Sequence, residues 1–313
     1  MGYGLALHGG AGTIRRESMT PALEAAHHAG LRTALLAGHA VLAAGGSALD
    51  AVTQAVMALE DDPLFNAGHG AVFTAAGRLE LDAAIMDGRT RAAGAVAGIV
   101  GPRNPVLAAR AVMERSGAVL LVGEGALDFL RTQDLVFEPE EYFRTERRWQ
   151  ALQTELERRR LDAPDTRDDA ARHGTVGAVA CDSRGDLAAA TSTGGMTAKR
   201  PGRVGDCPVF GAGTWAQNGA CAVSCTGTGE VFIRHAAAHE IAARIRLGGQ
   251  TLDRAAAAVV AELLADGGDG GLVAIDSDGA IAMPFNSKGM YRGAIGPAGQ
   301  PRTAIYSEQP AAA

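Results

Sequence analysis

The sequence predicts an α+β fold of stacked, largely antiparallel sheets covered by helices. Strand-like and helix-like stretches come in blocks in both halves of the 313 residues, without the regular strand–helix alternation of a parallel sheet. Several strand pairs are joined by short polar turns, such as 182–186 and 277–279, which makes them antiparallel hairpins. The apolar mass supports a layered core: hydrophobic residues are 47% but aromatics only 4%, so Ala, Val and Leu fill it.

Residues 3–8 read as a first strand, running into the turn Gly9-Gly10-Ala11-Gly12. Residues 20–44 read as a long helix ended by Gly45-Gly46, and Ser47 starts a second helix to about Leu59. Residues 71–74 and 79–86 suggest a hairpin around Ala76-Gly77, followed by a strand over 92–100 and helices over 105–115 and 124–131. Residues 140–160 are charged and helix-permitting, and the run Arg158-Arg159-Arg160 reads as a solvated face. Residues 161–174 carry Asp, Arg and a proline without apolar period and read as a flexible linker. Beyond it come a hairpin of 176–181 with 187–193, strands over 209–215 and 220–225, helices over 229–247 and 252–264, and a last hairpin of 272–276 with 280–285.

Composition excludes several classes. The net charge is −6, and basic residues are not interleaved with aromatics, so nucleic acid is not expected as a partner. No apolar run approaches the roughly 18 residues of a membrane span, and no basic n-region opens the chain, so a cytoplasmic location is expected. The four cysteines form no C-x-x-C pair and read as buried, reduced thiols; Cys221 and Cys225, four apart in a strand, face one side.

The chemistry concentrates in the second half. Thr175 follows Gly174 at the start of an apolar strand, directly after the linker. A threonine hydroxyl is a poor nucleophile and needs a base. If the chain is cut between Gly174 and Thr175, the new α-amine, with a pKa near ~7.7–8.0, is that base. Gly174 places no side chain in the way of attack on its carbonyl. Thr193 ends the strand paired with the nucleophile's strand, so its hydroxyl can lie beside Thr175. Arg203 stands in a Gly-bounded loop with Val204 and Gly205, three residues before Asp206. A guanidinium fork grips a carboxylate in two bonds, and an aspartate takes an ammonium; together they match the head group of an α-amino acid. The same pair could equally form a surface ion pair. Thr226-Gly227-Thr228-Gly229 precedes an apolar helix; its N–H groups suit an oxyanion, and by themselves suit a phosphate equally well.

These segments, in this order, resemble the plant-type L-asparaginase / isoaspartyl peptidase family of N-terminal-nucleophile hydrolases. The first half is similar too: Leu7-His8-Gly9-Gly10-Ala11-Gly12, residues 63–70, and residues 79–88 match that family's opening and central blocks. The resemblance implies a four-layer αββα sandwich and one domain of 1–313, self-cut into 1–174 and 175–313. It implies Thr175 as nucleophile, Thr193 as its support and Asn66 as a positioning group. Arg203 would hold the substrate carboxylate, and Asp206 with the Gly229 carbonyl its amine, in a segment that includes Val204, Gly205 and Thr228. Thr226 and the Gly227 N–H would form the oxyanion hole. No catalytic cofactor is implied. A structural sodium ion would sit on the carbonyls of Leu59, Glu60, Asp62, Phe65, Ala67 and His69. The implied partners are L-asparagine or β-aspartyl dipeptides and a second copy of the cut chain, giving (αβ)2, with no nucleic acid and no membrane. A glycan-cleaving asparaginase and an uncut ligand-binding protein are the alternatives. Two departures stand out: His69 replaces an apolar residue, and Cys207 follows Asp206 where serine is common.

Overall fold

The computed structural model describes residues 2–163 and 174–307; most of the expected linker, 161–174, lies outside them. Strands β1 (Gly4–Gly12), β2 (Leu81–Asp87), β3 (Ala93–Ile99), β4 (Leu120–Val122), β5 (Val176–Cys181), β6 (Leu187–Thr193), β11 (Gly289–Ile295) and β12 (Arg302–Ala304) form one sheet, in the order β12-β11-β1-β5-β6-β2-β3-β4. A second sheet has the order β10-β9-β8-β7, from β7 (Thr214–Ala216), β8 (Ala222–Gly227), β9 (Gly270–Ile275) and β10 (Ile281–Ala282). All pairings are antiparallel except β3 with β4.

The alternation of side chains explains the layers. Along β5, Val176, Ala178 and Ala180 join the core under the helices, while Val179 and Cys181 join the core between the sheets. On β6, Ala188 and Ala190 go one way and Leu187 and Ala189 the other. Helices α1 (Pro21–Ala43), α2 (Ala48–Glu60) and α3 (Pro105–Ala111) cover the large sheet. Helices α7 (Gly229–His235), α8 (Ala237–Arg246) and α9 (Leu252–Ala265) cover the small one. The result is a sandwich of helices, sheet, sheet and helices. The same alternation turns His8, Thr191, Thr193, Ser224 and Thr226 toward the space between the sheets.

Several elements differ from the expected ones. The hairpin expected at 71–86 reduces to an isolated bridge, Phe73 with Leu79, and β2 pairs with β3 and β6 instead. The strand over 209–215 shrinks to β7. The helix over 229–247 breaks into α7 and α8 at Ala236, whose φ is +47°. The charged stretch splits into α5 (Glu140–Phe143) and α6 (Glu146–Arg160). Part of α6 faces inward: Arg148 is buried and its Nε donates to Gly70 O at 2.7 Å. Arg158 and Arg159 both close on the buried Glu155, and Arg160 pairs with the exposed Glu157. Helix α4 (Gly123–Leu130) lies where expected, and the helix over 105–115 ends as a π turn, Val112–Ser116. All four cysteines are free and buried. Burial raises their thiols, Cys181 to about 11 and Cys221 to about 12.

Candidate active site

Thr175 stands just ahead of β5, at the centre of the large sheet between β1 and β6. It is 8% exposed, and its hydroxyl meets the Thr193 hydroxyl at 3.3 Å. The cross-strand register produces this contact, since Val176 pairs with Ser192 and places the next residue of each strand end side by side. Thr193 Oγ1 also accepts the Gly195 N–H at 2.9 Å. Asn66 braces the Thr193-Gly194-Gly195 turn: its Nδ2 donates to Gly195 O at 2.7 Å and its backbone carbonyl accepts from Gly194 N at 3.1 Å. Gly174 has φ +145°, a region that favours glycine, and the position of a Cβ there would lie 3.3 Å from Asn66 Cβ.

A buried hydrogen-bonded chain holds the Thr175 carbonyl from behind. His8 Nδ1 lies 2.8 Å from Thr175 O, and His8 Nε2 lies 2.8 Å from Ser224 Oγ. Ser224 Oγ meets Thr191 Oγ1 at 2.7 Å, and Thr191 Oγ1 meets Thr214 Oγ1 at 2.7 Å. Thr214 also reaches Cys207 O at 3.0 Å. A carbonyl only accepts, so His8 Nδ1 carries the hydrogen and Nε2 accepts from Ser224. Ser224 must then accept from Thr191 and Thr191 from Thr214, whose single hydrogen is divided between Thr191 Oγ1 and Cys207 O. His8 stays neutral, because burial lowers its pKa to about 4. A Cβ on Gly177 would overlap the Ser224 hydroxyl, so only glycine admits this crossing of the layers. Thr191→Val keeps the shape and removes one link; it should lower stability by about 1–3 kcal/mol. Thr191→Ser keeps the hydroxyl and loses one methyl, about 0.8 kcal/mol. Urea denaturation compares them, and a serine variant less stable than the valine variant contradicts the chain.

The expected head-group residues form a second cluster. Asp206 is buried, its Oδ2 has no hydrogen-bond partner, and burial raises its carboxyl to about 7 although Arg203 pulls it down. Gly229 lies against it: a Cβ there would be 2.8 Å from Asp206 Oδ1 and 3.1 Å from Arg203 Nη2. Arg203 is closed on Glu230, with Nε and Nη2 each donating at 2.9 Å. Glu230, in the first turn of α7, is a partner that the spacing around Arg203 did not suggest. Val204 is exposed, and Gly205 packs beside the Arg203 guanidinium. Cys207 Sγ donates to Asp82 O at 3.6 Å.

Thr226 is buried and accepts the Ala11 N–H at 3.2 Å, which leaves its own hydrogen to be donated. The neighbouring Gly10 runs against Gly174: a Cβ on it would lie 2.7 Å from Gly174 Cα. The expected turn at Gly9–Gly12 is instead the end of β1, bulged between His8 and Gly10, and this stretch lies between Thr226 and the Gly174–Thr175 bond. Thr228 turns away and bonds Asp269 Oδ1 at 2.7 Å.

In the loop after α2 the expected ligand carbonyls differ: Asp62 O accepts Phe65 N at 3.2 Å and Ala67 O accepts Gly70 N at 3.1 Å, while those of Leu59 and Glu60 lack their helical donors. Leu59 O faces Pro63 at the helical spacing, which has no N–H, and Leu64 N donates to Asp62 Oδ1 at 3.0 Å rather than to Glu60 O. Arg147 takes the carbonyls of Pro63 and Leu64, at 3.2 and 2.7 Å, outside the expected ligand set. Glu60 is buried, and burial raises its carboxyl to about 8. His69 stacks on Tyr142 at 4.6 Å between ring centres. No group of His, Cys, Asp and Glu among the described residues forms a metal cluster, and no described helix is long and apolar enough to cross a membrane.

The family model described as asparaginase matches residues 1–305. The chain is similar to a Salmonella typhimurium isoaspartyl peptidase, 53% identical over 311 residues, which are 97% of this chain and 98% of the relative. It is 46% identical to a plant-type L-asparaginase of Pyrococcus abyssi, over 91% of this chain and 93% of that one. It is 40% identical to an isoaspartyl peptidase/L-asparaginase of Xenopus laevis, over 93% of this chain and 91% of that one. With the match running from the first strand to the last, the chain belongs to the asparaginase family.

Proposed function

We infer that this protein is a self-cutting threonine amidohydrolase that releases L-aspartate from β-aspartyl amides, namely isoaspartyl dipeptides and L-asparagine. The observation that carries the reading is the Thr175–Thr193 hydroxyl contact at a Gly174–Thr175 bond. In the cutting step, Thr175 Oγ bonds to the Gly174 carbonyl carbon, the C–N bond breaks and the nitrogen takes the hydroxyl proton. Water then opens the ester, leaving the Gly174 carboxylate and a free Thr175 amine. In each turnover that amine removes the Thr175 hydroxyl proton as Oγ bonds to the substrate β-carbonyl carbon, and passes the proton to the leaving nitrogen as the C–N bond breaks; water then opens the β-aspartyl ester on Thr175 and releases L-aspartate. Arg203 receives the substrate carboxylate; Asp206 and the Gly229 carbonyl receive its ammonium. Thr226 and the Gly227 N–H take the oxyanion. The carbonyls of Leu59, Glu60, Asp62, Phe65, Ala67 and His69 would hold a sodium ion, a hard cation suited to oxygen, with a structural role. A cytoplasmic (αβ)2 assembly completes the reading.

A denaturing gel with N-terminal sequencing tests it. The expected fragments have 174 and 139 residues, the second being 313 − 174, and the smaller begins Thr-Val-Gly-Ala-Val. A different start, or no aspartate released from β-aspartyl-leucine, rejects it.

The pH dependence has two parts. Asp206 must be ionised to take an ammonium, and its carboxyl sits at about 7 in the free site. kcat/KM should therefore rise with pH through about 7 with Asp206, and further with the Thr175 amine before it levels. Asp206→Asn should remove the Asp206 part of this rise and leave the part set by the amine. The kcat limb, set by the Thr175 amine near ~7.7–8.0 or below, should survive in that variant. Loss of the kcat limb with Asp206→Asn would mean that Asp206 is itself the base.

A further inference from the structure

We propose that a cavity beside Gly174 receives the residue that follows the isoaspartate, accepting an apolar side chain and a free carboxylate; this rests on the amidase reading above. The cavity measures about 180 Å³ and opens on Gly174. Its walls are Met19, Leu23, Leu64, Ala151 and Tyr291, from the entry to α1, the loop after α2, α6 and β11. None of Arg203, Asp206, Thr226 and Gly229 lines it, so it is separate from the head-group cluster.

Chemistry places the leaving group here. The leaving nitrogen must take its proton from the Thr175 amine. In the uncut chain that nitrogen carries Gly174. Whatever accepts a proton from it therefore lies on the side that Gly174 borders. The volume suits one residue: it equals roughly six waters at about 30 Å³ each, well below the ~300–1,000 Å³ of sites for larger ligands. The charge is one-sided. Arg15, Arg147 and Arg148 border the cavity and, among its described lining residues, no Asp or Glu does; the three cations outnumber the one carboxylate that the cut leaves on Gly174. His27, which also lines it, adds no charge at neutral pH, because burial, Arg147 and Arg148 lower its pKa to about 4. The site therefore welcomes a carboxylate, disfavours a basic side chain and buries an apolar one. Ammonia, the leaving group of L-asparagine, uses none of this.

The test measures kcat/KM of the self-cut enzyme on L-asparagine, β-aspartyl-leucine, β-aspartyl-lysine and β-aspartyl-leucinamide. The leucine dipeptide should exceed the lysine dipeptide by roughly tenfold or more, and the amide should fall several-fold below the free acid. Ala151→Trp fills the cavity and should lower the leucine-dipeptide to asparagine ratio by roughly tenfold. Met19→Glu adds an anion and should narrow or reverse the preference for leucine over lysine, which keeps the test open should the tryptophan variant fail to fold. Equal rates on the leucine and lysine dipeptides, or an unmoved ratio in folded Ala151→Trp, overturn the pocket while leaving the amidase reading intact. No turnover of any of the four would instead reject the amidase reading.

Discussion

A Thr175→Ala chain should remain whole at 313 residues and lose activity by a factor on the order of 10⁴ or more. Two losses coincide in one substitution. The hydroxyl that attacks is gone, and without the cut there is no terminal amine to act as base. Thr175→Ser separates them, because it keeps a hydroxyl at the same place and should still cut, though more slowly. The fold should be unharmed. Thr175 precedes its strand, and the Thr175 O that His8 binds is backbone. The gel and an aspartate-release assay decide. A Thr175→Ala chain that appears as two fragments would mean that another group makes the cut.

Thr226→Val should lower kcat by about 10²–10³-fold with little change in KM, the usual result of removing one oxyanion donor. The hydroxyl accepts the Ala11 N–H, so its hydrogen is aimed elsewhere by that bond. Valine fills the same volume in a fully buried position, and packing is preserved. Thr226→Ser should recover most of the rate. A valine variant that raises KM and spares kcat would make Thr226 a ground-state contact instead.

The second-half hairpin was readable because two apolar runs flank one polar turn, and the Thr175–Thr193 contact follows from that pairing alone. Layering was readable from small residues alternating along the strands. Other features leave no local mark. Strand β11 mixes glycines, Tyr291 and Arg292 and gains its stability from pairing with β1, far away in sequence. The break at Ala236 puts alanine in a left-handed conformation that no alanine signals. Ser224 and Thr191 looked like ordinary strand residues; they meet only because two sheets stack. Arg148 belongs to a charged run, yet desolvation lowers its pKa to about 9, a cost invisible to composition. Glu230, which closes Arg203, could have been suspected from an acidic residue opening a helix just after the Thr226–Gly229 turn.

The strand order of the large sheet has a further effect. Read across, it alternates between the two sides of the Gly174–Thr175 bond: β12 and β11 come from after it, β1 from before, β5 and β6 from after, β2, β3 and β4 from before. Once that bond is cut, neither piece owns a contiguous sheet, and neither can leave without tearing ladders on both flanks. Denaturation therefore releases two chains from one molecule. The way back becomes a second-order encounter, so the melting temperature of the cut protein should climb with its concentration more steeply than that of uncut Thr175→Ala. A mature molecule of this design is assembled once, as a single chain, and afterwards persists by its barrier to unfolding rather than by ready return.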